Sequence, residues 1–225
     1  MNDRKRWWVV FVYAAAMAWV EAAVVFYLRT MVDRVEPYQA HPFPIIGGMA
    51  QIEVIREAAT LIMLLTVGIL AGRTWRCRLG YGAIAFGVWD IFYYGFLKAM
   101  CGWPHSALDW DILFLIPLPW WGPVLAPVLI ALLLILWGTL ASQFEHVRRP
   151  VLPLPVAWAI GAVGVIIGLL AFMADSMAAA HLGLGAVRDV LPKSFNWPLF
   201  SGALLLMSVP VLQLIPLTSK PRKIQ

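Results

Sequence analysis

Charged residues are scarce in this sequence, which excludes most soluble proteins. Only 13% of the 225 residues are charged, against about a quarter in an average soluble domain, whereas 62% are hydrophobic. The 17 lysines and arginines fall in short clusters between apolar runs instead of along one stripe, so the net charge of +5 is not typical of a nucleic-acid-binding protein. The composition predicts a polytopic integral membrane protein that contacts membrane lipid and no nucleic acid.

Cysteines, histidines and the common nucleotide- and metal-binding motifs are also scarce or missing. Cys77 and Cys101 lie on either side of one apolar run, and if that run spans a membrane they are too far apart for a disulfide, whose Cα atoms lie within about 7 Å. The four histidines lie outside the apolar runs, which argues against a membrane haem protein. Walker, dinucleotide-binding, CxxC, HExxH and GxSxG motifs are missing. The sequence predicts no metal site and leaves any cofactor unknown.

Long apolar runs dominate the chain instead. Six of them reach the roughly 20 residues that cross a 30 Å hydrocarbon layer. They cover approximately residues 7–30, 51–72, 79–101, 120–141, 154–175 and 197–217. A shorter apolar, proline-rich stretch from Ile112 to Pro119 predicts an interfacial or re-entrant segment on the outer side. We therefore expect an all-α fold: a polytopic membrane helix bundle with six transmembrane helices, forming a single integral membrane domain over residues 1–225.

The distribution of basic residues predicts the orientation of this bundle. If the six runs alternate in direction, 11 of the 17 lysines and arginines fall on the side of the two termini, and five fall on the other side. Cytoplasmic loops carry the excess of positive charge. We expect a multi-pass protein of the cell membrane whose N-terminus and C-terminus are both cytoplasmic.

Acidic residues inside the apolar runs mark the candidate site. Asp90 lies about midway along the third run, where an ionised carboxylate costs about 3 kcal/mol on insertion scales, so a chain retains one only where something compensates it. Glu21 and Glu57 lie in the first and second runs, and a rise of about 1.5 Å per residue places them toward the outer half of the bilayer. The carboxylates of Glu21, Glu57 and Asp90 are thus predicted to converge as catalytic groups.

Three side chains inside these runs are predicted to bind substrate beside the acids. Tyr94 and Lys98 follow Asp90 by four and eight residues and so share its helical face. Arg56 adjoins Glu57, and its planar fork can hold two oxygens at once. It either pairs with the intramembrane carboxylates as a structural clamp or grips an anionic group of a substrate.

The external loop after the third run supplies three more candidate substrate-binding residues, His105, Asp109 and Asp111. Imidazole titrates near working pH, so His105 is a candidate ligand or base, although a lone loop histidine is more often simply solvated. The two aspartates are either ordinary loop acids or helix caps. Neighbouring tryptophans indicate that the loop lies at the membrane interface.

Three classes of function fit these patterns. The first is a membrane-embedded enzyme that acts on a lipid-like or isoprenoid substrate by carboxylate acid/base chemistry. The second is a non-catalytic membrane subunit or assembly factor in which the charges hold the fold together. The third is a proton- or cation-coupled carrier, which is disfavoured because no repeated halves are visible. A homodimer or a membrane-complex partner is also considered, and the predicted dimer contact is the small-residue face of the fifth run, formed by Gly161, Gly164, Gly168 and Ala171.

Overall fold

The computed structural model describes residues 2–34, 36–39, 49–143 and 155–219. The regular secondary structure of these residues consists of helices and one short β-hairpin. Helices α1 to α4 cover Asp3–Met31, Met49–Ala71, Trp75–Cys101 and Leu125–Gln143, and helices α5 to α7 cover Pro155–Ala180, Leu184–Asp189 and Trp197–Ser219. Strands β1 (Trp110–Ile112) and β2 (Trp121–Pro123) lie between α3 and α4. In the described part of the chain, six helices, all except α6, are long and apolar enough to cross a membrane. The predicted six-helix membrane fold is confirmed, while the sidedness of the termini stays a prediction.

Polar caps extend two helices beyond their apolar runs. The side chain of Asn2 accepts a hydrogen bond from the amide of Lys5 at 2.9 Å, so α1 begins at Asp3 and includes the basic cluster. The hydroxyl of Thr74 accepts one from the amide of Cys77 at 3.4 Å, and α3 therefore begins at Trp75, before the predicted start near residue 79.

The fourth helix begins later than the sequence predicted. The fourth helix begins at Leu125 and not near residue 120, because residues 121–123 form β2 and pair antiparallel with β1, Asp111 lying opposite Gly122. Prolines at 117, 119 and 123 remove amide donors that a helix would need. The stretch from Ile112 to Pro119 is thus mostly the loop of a β-hairpin, and its predicted interfacial or re-entrant depth stays a prediction.

Helix α3 is central, packing against α1, α2 and α4. Its crossing with α4 brings the backbones close together. A Cβ added at Gly87 would lie 2.5 Å from the carbonyl oxygen of Ala131, and one at Gly138 would lie 2.3 Å from that of Gly80. Only glycine allows this approach, so the two positions hold α3 against α4.

Helix α5 packs against α7 through the small-residue face predicted for a dimer. Gly161, Gly164 and Gly168 are buried, and a Cβ at Gly164 would lie 2.8 Å from the carbonyl oxygen of Ala203 on α7. The structure thus uses this face for a contact within the chain, which leaves the proposed homodimer contact without support.

The two ends of the bundle differ in polarity. At one end, the Tyr81 hydroxyl and the Gln143 amide each donate a hydrogen bond to the carbonyl oxygen of Asp3 at 3.2 Å. We call this the Asp3 end. The opposite end, which we call the hairpin end, contains the hairpin and the last turns of α1 and α3. Most of the intramembrane acids lie toward the hairpin end, so the site is built there.

Candidate functional site

A cavity of about 800 Å³ is lined by residues of the hairpin and of helices α1 to α7. Its walls are mainly apolar and aromatic, as in sites for small organic molecules. Among the described residues, six of the nine predicted site residues line it, Glu21, Arg56, Glu57, Asp90, Tyr94 and Asp111. The structure thus brings the three predicted catalytic carboxylates to one cavity, together with three predicted substrate-binding side chains.

Arg56 is bound on both sides by carboxylates. Its Nε donates to Glu53 Oε2 at 2.8 Å, and its Nη1 pairs with Glu21 Oε1 on α1. The hydroxyl of Thr60 donates to the other oxygen of Glu21 at 3.1 Å. These contacts correspond to the structural clamp that was one of the two interpretations of Arg56. Because they join α1 to α2, they also fix the orientation of Glu21.

Asp111 forms a buried ion pair with Arg29, a residue outside the predicted site. Arg29 Nη2 lies 2.8 Å from Asp111 Oδ1, and the two side chains are only 9% and 1% exposed. The guanidinium carbon also lies 4.3 Å from the ring centroid of Trp103, and Tyr94 hydrogen-bonds the carboxylate. Burial raises the pKa of Asp111, while the charge of Arg29 opposes that rise. The pair ties β1 to the end of α1.

Two further contacts hold the hairpin loop over the cavity. Glu57 Oε2 on α2 accepts a hydrogen bond from the amide of Leu115 at 2.9 Å. The Ser176 hydroxyl on α5 donates to the carbonyl oxygen of Pro119 at 2.6 Å. Because the hairpin loop cannot satisfy all its backbone groups internally, these side chains satisfy one amide and one carbonyl of the loop. Glu57 therefore positions the wall of the cavity.

Asp90 differs from the other acids of the cavity. It is 7% exposed, and within the described ranges its Oδ2 has no hydrogen-bond partner. The indole Nε1 atoms of Trp89 and Trp120 are likewise buried and without a partner in those ranges. All three residues line the cavity. Buried polar atoms are normally paired, so three without a partner on residues of one cavity wall set this wall apart.

The tryptophan pair could not have been selected from the sequence. Trp89 and Trp120 are far apart along the chain and both pack against Phe114, their ring centroids lying 6.4 and 5.1 Å from that of Phe114. With 12 tryptophans in the chain, only the tertiary structure shows that Trp89, Trp120 and Trp121 line the cavity in the described ranges. Arg29, by contrast, follows Glu21 by eight residues on one helical face, and that spacing is a usable signal.

Three predicted substrate-binding residues lie away from the described cavity lining. The ammonium of Lys98 is exposed and donates to the carbonyl oxygen of Gly102 at 2.7 Å, at the end of α3. His105 is 64% exposed, with its Nδ1 3.5 Å from Asp109 and 3.7 Å from Glu36. His105 and Asp109 thus contact each other outside the cavity lining, and we leave Lys98, His105 and Asp109 out of the proposed site.

Within the described ranges, no group of three histidine, cysteine, aspartate or glutamate side chains is placed to hold a metal ion. No protein-family model, curated protein or solved structure matches the chain. Its function is therefore inferred from the cavity itself.

Proposed function

We propose that this multi-pass membrane protein is a membrane-embedded enzyme that binds a lipid-like molecule in the cavity and uses Asp90 as its acid/base group. The observation that carries the proposal is the Asp90 carboxyl, which lines an apolar cavity of about 800 Å³ while its Oδ2 has no hydrogen-bond partner within the described residues. Acids inside membrane proteins mark functional sites because an unpaired one is costly. A carboxyl next to a bound ligand can exchange a proton with the ligand's polar group.

The three predicted catalytic acids take different roles in this proposal. Glu21 is engaged by Arg56 and Thr60, and Glu57 accepts from the hairpin loop. We assign both as positioning residues, because both oxygens of Glu21 and Oε2 of Glu57 already bind groups of the protein. Of the three acids, Asp90 alone is proposed to touch the ligand and transfer the proton.

A carrier fits the structure less well, because transport needs a polar path to both surfaces. The buried cluster between the cavity and the Asp3 end is apolar. It includes Val10, Ala14, Leu64, Ile84 and Ala85, each at most 2% exposed. A polar path from the cavity to the Asp3 end would have to cross these apolar side chains.

A non-catalytic subunit or assembly factor is the second candidate. It is favoured by the ion pairs of Arg56 and Arg29, which join α1, α2 and the hairpin as structural contacts. In that case Asp90 would affect only stability. The two candidates differ in what happens to a bound lipid when Asp90 changes.

The test replaces Asp90 by asparagine, which keeps the size of the side chain and removes its acid. Purified protein in lipid nanodiscs is incubated with membrane lipid extracts, and mass spectrometry follows which lipid is bound and which is converted. We expect Asp90→Asn to retain the bound lipid and to convert it about 100-fold or more slowly, the usual loss for a general acid or base. Asp33→Asn, at an exposed residue with φ of 55° that asparagine tolerates, is the matched control.

Equal conversion by Asp90→Asn and the unchanged protein would show that Asp90 is not the acid/base group. Failure of the unchanged protein to convert any bound lipid would favour the subunit. Thermal unfolding of each variant in detergent separates these results from loss of folding.

We also propose the predicted orientation, with both termini in the cytoplasm and the hairpin outside. Cys77 is buried, so labelling needs introduced cysteines in a variant without the native ones. Ala107→Cys in the hairpin-end loop and Arg73→Cys in the turn before α3 both place the thiol at exposed positions. An impermeant maleimide added to intact cells should label the first and not the second. The reverse pattern would overturn the orientation.

A further inference from the structure

The helices around the cavity form an incomplete ring. Helices α2, α3, α4, α7 and α5 all contribute lining residues, and in that order each helix packs against the next. Within the described residues, α2 does not pack against α5, and α1 does not pack against α5 either. In the part of the chain that the structure describes, the ring is therefore open between α2 and α5.

The hairpin loop bridges this opening at the hairpin end. The amide of Leu115 binds Glu57 on α2, and the carbonyl oxygen of Pro119 binds Ser176 on α5. Val165 lies eleven residues before Ser176, roughly 16 Å along α5 from the loop contact, and it still lines the cavity. Its side chain is 48% exposed. Because both helices are long and apolar enough to span the bilayer, an opening at this depth faces lipid hydrocarbon and not water.

The two sides of the cavity differ in polarity. All the charged lining residues that the structure describes belong to α1, α2, α3 or the hairpin. The lining residues described on α4, α5 and α7 are neither charged nor polar, and they include Ile130, Leu134, Val165 and Met207. A molecule with a polar group and a hydrocarbon chain fits this division, because the chain gains free energy by lying against the apolar side.

Resting on the function proposed above, we propose that the ligand is a bilayer lipid that enters the cavity between α2 and α5, and that its hydrocarbon chain lies against α4, α5 and α7. Along this route the chain passes from lipid to an apolar wall without contacting water, so entry has no cost of exposing the chain. Entry past the hairpin loop would instead break the contacts of the loop with Glu57 and Ser176.

The probe is a phosphatidylcholine with a diazirine near the end of one acyl chain, placed in nanodiscs with the full-length protein. After illumination, peptide mass spectrometry locates the adducts. We expect adducts at Ile130 and Leu134, which line the cavity on α4. Adducts at Leu132, which is 52% exposed and outside the described lining, report the lipid around the protein and serve as the internal reference.

The opening itself is tested with Val165→Trp, which narrows it. The ratio of adducts at Ile130 and Leu134 to adducts at Leu132 should fall about 10-fold, the usual size of the effect when a large side chain overpacks an occupied space. Ile166→Trp adds the same ring at the next position, which is 57% exposed and outside the described lining, and should leave the ratio unchanged. Val165→Phe is the smaller change, should lower the ratio less, and replaces Val165→Trp if thermal unfolding in detergent shows that variant to be unfolded.

Three results would overturn the entry route. The first is an unchanged ratio in the folded Val165 variants, and the second is an equal fall in Ile166→Trp, which would show that the effect does not depend on the opening. The third is the absence of adducts at Ile130 and Leu134 in the unchanged protein.

Lipid conversion, measured as for Asp90→Asn, separates this inference from the proposed function. Conversion at the full rate in Val165→Trp would overturn the entry route and leave the proposed function in place. An unchanged protein that converts no lipid, but whose cavity adducts fall in Val165→Trp, would overturn the proposed enzyme and still support lipid entry between α2 and α5.

Discussion

Replacing Arg29 by methionine should destabilise the protein strongly. Methionine fills a similar volume and leaves the Asp111 carboxylate, whose side chain is 1% exposed, without its counter-charge. Removing one partner of a buried ion pair costs about 3–5 kcal/mol, because the other charge stays buried and unpaired. At about 2–4 °C per kcal/mol for a chain of this size, the melting temperature should fall by roughly 10 °C.

The assay is thermal unfolding in detergent, followed by size-exclusion chromatography of the remaining folded protein. Arg73→Met removes a guanidinium at an exposed position and is the matched control, with an expected change within about 0.5 kcal/mol. The double variant Arg29→Met with Asp111→Asn should be more stable than Arg29→Met alone, because it removes the unpaired charge.

Two results would refute this reasoning about Arg29. One is a melting temperature for Arg29→Met equal to that of Arg73→Met. The other is a double variant whose losses are simply additive, which would show that the two side chains are not coupled across the 2.8 Å contact.

Two other contacts lead to separate predictions. Glu57→Ala should lower the free energy of unfolding by about 1–3 kcal/mol and speed hydrogen exchange at the amide of Leu115, because that amide loses its acceptor. Glu57→Gln retains an oxygen and should change both quantities much less. Unchanged exchange in Glu57→Ala would contradict the contact. Gly138→Ala should destabilise by about 1–3 kcal/mol in thermal unfolding, since its Cβ would lie 2.3 Å from a backbone oxygen of α3, whereas Gly202→Ala meets nothing within 4 Å and should be neutral or stabilising. Equal melting of the two glycine variants would contradict the close crossing.

The pairing of the charges shows where sequence reasoning stops. Helical spacing placed Asp90, Tyr94 and Lys98 on one face, and the first two do line the cavity. Lys98 does not, because it lies in the last turn of α3, where its ammonium reaches the carbonyl oxygen of Gly102. Periodicity specifies the face of a helix, but it does not specify whether a long side chain at the helix end turns inward or outward.

The number of spanning helices and the identity of the costly intramembrane acids were determined by the sequence alone. Both follow from local properties, since about 20 consecutive apolar residues cross a bilayer and a carboxylate among them is costly wherever it lies. Only the tertiary structure decided that Glu21 and Glu57 have partners while Asp90 keeps an oxygen without one in the described ranges. That difference depends on a hairpin and an arginine brought in from other parts of the chain, and no local pattern specifies such contacts.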